Sequence, residues 1–179
     1  MIVTQDDETI DQILSSVESI CKKYPEKYWL ELDKAQYYPT EFVKSMTESG
    51  HLNALIPTKY GGAGLSLLIA ARILEKIHQS GCNAAAAHAQ MYTMGSILKY
   101  GSEAQKSKWL PLIAKGEVRL QAFGVSEPEA GTDTSSISTT AIRKENKYIL
   151  NGQKIWTSRA LHSDLMILLA KTKSKNERN

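Results

Sequence analysis

Residues 121–136 read QAFGVSEPEAGTDTSS, and a short gap separates them from Gly152-Gln153-Lys154-Ile155-Trp156-Thr157-Ser158. The first run opens like a strand, passes Ser126, Glu127 and Pro128, and then breaks into the small residues Ala130, Gly131, Thr132 and Asp133. Such a turn presents backbone amides and hydroxyls to an anionic or heteroaromatic ligand. The second run lies at hairpin-like spacing and adds an aromatic plane at Trp156 and hydroxyls at Thr157 and Ser158. Taken alone, each run also fits an ordinary strand and turn, with Trp156 as a core residue of a sheet.

Upstream of these motifs the apolar residues recur at helical spacing. A first helix carries the stripe Ile10, Ile13, Leu14, Val17, Ile20 and Cys21, with Thr4 as its N-cap and Pro25 as its stop. Further helices are expected at about 40–49, ending at Gly50, then at 66–79 and 83–100, and a fifth opens on a capping box of Ser102 and Gln105. After Gly116 the period shortens to that of strands, expected at 120–126, 137–143, 147–151, 153–158 and 164–171. Lys144-Glu145-Asn146 reads as one turn and Asn151-Gly152 as a type I′ hairpin signal. The expected fold is α+β, with an all-helical domain at 1–117 and a β domain at 118–179.

Composition narrows the partners. The 179 residues are 42% hydrophobic and 23% charged, enough for one compact domain or two small ones. A net charge of +3, from interleaved acids and bases, implies no nucleic-acid or membrane partner. Lys171, Lys173, Lys175 and Arg178 read as a solvated loop, and the apolar stretch 83–98 is interrupted by His88, Gln90 and Ser96, so it does not span a bilayer. Cys21, Cys82, His51, His78, His88 and His162 lack metal-ligand spacing, so no zinc or iron site is expected. Two isolated cysteines and an acidic start, Asp6, Asp7, Glu8 and Asp11, suggest a cytoplasmic protein. Gly61, Gly62 and Gly64 do not complete a phosphate loop, because Leu67 stands where the third glycine belongs; they read as a tight turn between helices.

The chain resembles the acyl-CoA dehydrogenase family. The resemblance rests on Phe123, Val125, Ser126, Glu127, Pro128, Ala130, Gly131, Thr132 and Asp133, and on Asn151-Gly152-x-Lys154-x-Trp156 with Thr157 and Ser158 behind it. Pro57, Tyr60, Gly61, Gly62 and Gly64 extend it upstream, as do Gly101, Ser102, Gln105, Lys106, Trp109, Leu110, Pro111 and Gly116. Four positions depart from the family pattern: Glu129 stands where Gly is common, Thr157 where an aliphatic residue is usual, and Arg159-Ala160 where Asn-Gly is common.

What the resemblance implies is specific. The β domain becomes an incomplete antiparallel β-barrel-like domain, and FAD becomes the cofactor. Ser126 is implied as a donor to the flavin's pyrimidine edge, with Phe123, Gly124, Val125, Gly131 and Thr132 in the surrounding cradle. Trp156, Thr157 and Ser158 are implied against the ring, and Thr132 and Met94 against the acyl-CoA substrate; core packing is an equal reading for Met94. The implied activity is α,β-desaturation of an acyl-CoA thioester, with an electron-transfer flavoprotein or similar acceptor and a homo-oligomeric complete enzyme. The family's catalytic glutamate belongs to a C-terminal helical bundle, so these residues are expected to be an N-terminal fragment, inactive alone. Two alternatives remain at this point: a non-catalytic interaction module from a truncated gene, and a flavin oxidase or monooxygenase of the same superfamily.

Overall fold

In the computed structural model, residues 7–172 are described and divide into two compact units that meet between Leu120 and Gln121. Thr4, expected to cap the first helix, and the tail residues Lys173, Lys175 and Arg178 lie outside the described residues.

The first unit is built from α1 (Asp7–Cys21), α2 (Glu26–Ala35), α3 (Thr40–Glu48), α4 (Leu67–Gln79), α5 (Ala85–Tyr100) and α6 (Glu103–Ala114). Their apolar stripes converge on one core, in which Val17 of α1, Phe42 and Met46 of α3, Ile73 and Ile77 of α4 and Met91 of α5 are buried. Ser66 caps α4 by accepting from the Ile69 amide at 3.3 Å. Both halves of the expected box at α6 are present: Gln105 N donates to Ser102 Oγ at 3.2 Å, and Ser102 N donates to Gln105 Oε1 at 2.8 Å. The tight turn expected at the upstream glycines follows a 3-10 turn, Thr58–Tyr60, and Gly61 takes φ +82°.

Helix α2 was not expected from the sequence. None of its residues is fully buried, so it carries no apolar stripe to read. Aromatic edges hold it instead: Trp29 packs at 5.0 Å on Phe42, and its indole N–H donates to Tyr24 O at 3.0 Å.

The second unit contains β1 (Leu120–Gly124), β2 (Thr140–Lys144), β3 (Lys147–Asn151) and β4 (Leu165–Leu168). They form two separate two-stranded sheets, β1 with β4 and an antiparallel β2–β3 hairpin, so no closed barrel is present among the described residues. Ala141 N donates to Lys171 O at 2.8 Å, and Lys171 N to Thr139 O at 2.9 Å, which ties the start of the hairpin to the chain after β4.

Two expectations are corrected here. Residues 153–158 are not a strand, and Asn151-Gly152 is not a two-residue hairpin turn. The hairpin closes at 145–146, with Glu145 at φ +53°, while Asn151 ends β3. Gly152 has a different reason: a β-carbon there would run into Thr139, so the position has no room for a side chain. Beyond it the chain leaves the ladder, and Trp156 and Arg159 both take left-handed backbone angles of φ +59°.

Candidate functional site

The two motifs, residues 121–136 and 152–158, lie side by side within the second unit. Ile155 N donates to Ser126 O at 2.9 Å, joining the segment after β1 to the segment after Gly152. Lys154, one residue before Ile155, reaches the residues on either side of Ser126: its Nζ donates to Val125 O at 2.9 Å and pairs with Glu127 Oε1 at 2.8 Å.

Glu127 is the best-connected side chain of this region. Its Oε2 accepts from Ser138 N at 2.5 Å and from Ser138 Oγ at 2.7 Å, and its Oε1 accepts from Thr139 N at 2.9 Å. Burial works against the charge of this carboxylate, but the hydrogen bonds from Lys154, Thr139 and Ser138 outweigh it, and the group is held well below the usual carboxylate range. The side chains of Lys154 and Glu127 are 9% and 2% exposed, so the ion pair is enclosed rather than a surface contact.

The turn after Pro128 closes on itself. Glu127 and Ala130 exchange backbone hydrogen bonds of 2.8 and 3.2 Å. Asp133 then caps a short 3-10 turn, Thr134–Ser136, by accepting from Ser135 N at 3.0 Å, and the hydroxyls of Ser135 and Ser136 hold its carboxyl below the ordinary value. Between these two brackets Gly131 and Thr132 are exposed, and a side chain at Gly131 would meet nothing within 4 Å.

The residues singled out by sequence fall into three groups. Gly124 is buried beside Leu168 and Met166 of β4, with Val125 and Ser126 half-buried next to it. Phe123, Gly131, Thr132, Trp156 and Ser158 present surface, and Thr157 is half-buried. Trp156 is 85% exposed, which excludes its reading as a core residue of the sheet. Met94 belongs to the helical unit, where it is fully buried in α5. Of the departures from the family pattern, Glu129 is exposed, and Arg159 adopts the left-handed angle that Asn or Gly adopts at less cost.

This donor set fits a flavin. Trp156 and Phe123 offer aromatic surface, Ser126, Thr132, Thr157 and Ser158 offer hydroxyls, and the open turn at Gly131 leaves backbone within reach of a ligand. Sequence reasoning did not assign roles to Glu127 and Lys154. The available signal was weak: Glu127 is one of three acids in the first motif, with Glu129 and Asp133, while Lys154 is the single base of the second.

No group of three or more His, Cys, Asp or Glu side chains suited to a metal occurs among the described residues. No described helix is long and apolar enough to cross a membrane.

A helical unit followed by a small-stranded unit with these paired motifs is the arrangement of a known enzyme class. The chain belongs to the acyl-CoA dehydrogenase family: residues 7–117 match the acyl-CoA dehydrogenase N-terminal domain and residues 122–179 match the middle domain. An acyl-CoA dehydrogenase of Bacillus subtilis (strain 168) is 35% identical over 144 residues, covering 79% of this chain and 38% of the relative. The crystal structure of an acyl-CoA dehydrogenase from Geobacillus kaustophilus superposes with a TM-score of 0.85 at 27% identity, over 99% of this chain and 46% of that one. A glutaryl-CoA dehydrogenase from Mycobacterium smegmatis in complex with FADH2 gives a TM-score of 0.78 at 25% identity, over 94% of this chain and 44% of its own. The chain therefore spans less than half the length of the proteins it matches.

Proposed function

We propose that residues 121–158 are the flavin-facing part of an FAD-dependent acyl-CoA dehydrogenase, which desaturates an acyl-CoA thioester between its α and β carbons. The observation that carries this reading is the fastening of the two motifs at Ser126–Ile155 and Glu127–Lys154, in a chain of the acyl-CoA dehydrogenase family.

Bound FAD supplies the acceptor for the two electrons removed from the substrate. In this reading the chain's own residues bind and orient. Ser126 donates to the pyrimidine edge of the ring, and the backbone from Phe123 to Thr132, including Gly124, Val125 and Gly131, surrounds it. Trp156 covers the ring with Thr157 beside it, Ser158 places its hydroxyl at the reacting edge, and Thr132 and Met94 contact the acyl-CoA. The base that takes the α-proton is assigned outside these residues, and an electron-transfer flavoprotein or similar acceptor receives the electrons from the complete homo-oligomeric enzyme. The similarity to a glutaryl-CoA dehydrogenase in complex with FADH2 supports the choice of cofactor.

The test is a graft. This chain is fused to the C-terminal remainder of the Bacillus subtilis relative, loaded with FAD, and mixed anaerobically with acyl-CoA thioesters of graded chain length. Bleaching of the oxidised flavin absorbance by at least one thioester is expected. A folded, FAD-loaded fusion that no thioester bleaches contradicts the dehydrogenase reading.

A further inference from the structure

Trp156 holds a backbone angle that its own sequence does not favour. A bulky residue at φ +59° is strained, and such strain persists only where the surroundings over-determine it. Two of the other non-glycine residues with positive φ have local reasons: Gln36 caps the end of α2 and Glu145 sits in the β2–β3 turn. Trp156 lies in neither kind of place.

Its surroundings are unusual in another way. Immediately before it, Ile155 N is pinned to Ser126 O, and Lys154 reaches across to both Val125 O and Glu127 Oε1. Glu127 is itself immobilised by hydrogen bonds from Ser138 and Thr139. Thus Trp156 follows two consecutive residues anchored to the segment that carries Ser126.

We propose that Glu127 is the positioning residue of this site, and that through Lys154 it holds Trp156 in its left-handed conformation beside Ser126, so that the aromatic surface and the hydroxyl are in place before a ligand arrives. The ligand side of this proposal rests on the flavin reading given above. Removing the charge of Glu127 leaves the Lys154 ammonium enclosed without its counter-ion, and the arm is then free to swing toward water. Trp156 relaxes to an ordinary backbone angle, and only a fraction of the molecules keep the competent geometry.

The experiment uses the full chain and the variants Glu127→Gln, Lys154→Met and Lys154→Arg. The three-bond HN–Hα coupling and the amide shift of Trp156 report its backbone angle, and the shifts of Trp156 and Ser126 on adding FAD to millimolar levels report affinity. Glu127→Gln and Lys154→Met are expected to lose the left-handed signature and to weaken FAD by about tenfold, the loss of a competent fraction. Lys154→Arg keeps both, because it keeps the charge. Unchanged Ile73 and Met94 amide shifts show that the helical unit is intact. An unaltered Trp156 signature and FAD affinity in Glu127→Gln overturn the proposal. So does unfolding of residues 121–172 as a whole in both Glu127→Gln and Lys154→Met, since the pair is then merely structural. If the variants lose the Trp156 geometry while the parent chain's Trp156 and Ser126 do not respond to FAD, the positioning role stands and the flavin reading fails.

Discussion

The amide of Ile155 donates to the carbonyl of Ser126 at 2.9 Å, so residues 29 apart in sequence become neighbours across a single hydrogen bond. Side chains assigned to one ligand by two separate motifs are thereby brought into one unit. In the grafted enzyme, Trp156→Ala and Ser158→Ala are expected to slow anaerobic flavin reduction by roughly tenfold or more, because both are assigned to the reacting ring. Met94→Ala, assigned only to the acyl tail, is expected to slow it less. Stopped-flow reduction with flavin content measured in parallel decides the order, and equal rates for the three variants would remove the distinction.

Acid should act on the second unit through Glu127. Its carboxyl is held below the ordinary range in the fold, so its contribution to stability is fully present above the unfolded value of about 4.3 and is lost as the pH falls toward the folded value. Amide exchange of residues 121–172 followed from neutral pH downward is expected to show destabilisation setting in below that value. In Glu127→Gln this component of the pH dependence is absent and the unit is already weaker at neutral pH. Identical acid profiles for the two proteins would show that the Glu127–Lys154 pair does not couple to folding.

Protection should be uneven along the chain. The helical unit owns most of the buried side chains, whereas every residue of β3 is exposed and the hairpin has only its two strands. Hydrogen exchange in α1, α3 and α4 is therefore expected to be slower than in β2 and β3. Equal protection of the two units would mean that another chain or segment covers the hairpin.

Two glycines should respond to alanine with opposite sign. At Gly62 a β-carbon would run into Ile56 O and Ile56 Cβ, with no flexible side-chain end to give way. Gly62→Ala is expected to cost about 1–3 kcal/mol by overpacking. Gly95 sits inside α5 with nothing within 4 Å of an added β-carbon, so Gly95→Ala is expected to stabilise by roughly 0.5–1 kcal/mol. Urea unfolding of the helical unit measures both.

The sequence was most informative where local chemistry decides structure. Ser102 and Gln105 announce a helix start because the capping box is complete within four residues, and the Lys144-Glu145-Asn146 turn is readable for the same reason. The alternation at 153–158 misled, because Lys154 is drawn to Glu127 and Trp156 leaves the extended conformation, both consequences of contacts 27 or more residues away. Helix α2 was silent because its anchorage is two aromatic rings rather than an apolar face. For the site, the motif residues were visible one by one, while the pair that joins them was not, since neither Glu127 nor Lys154 carries a local mark of its partner.

In the proposed site Trp156 faces the flavin. The chain contains three tryptophans, Trp29, Trp109 and Trp156, of which the first is engaged with Phe42 and Tyr24 in the helical unit. Transferred nuclear Overhauser effects between the ring protons of FAD and the indole protons of the chain report this contact. Cross-peaks to the Trp156 indole that vanish in Trp156→Ala are expected; cross-peaks to Trp29 or Trp109 instead, or FAD binding with no contact to Trp156, would show that Trp156 does not face the flavin.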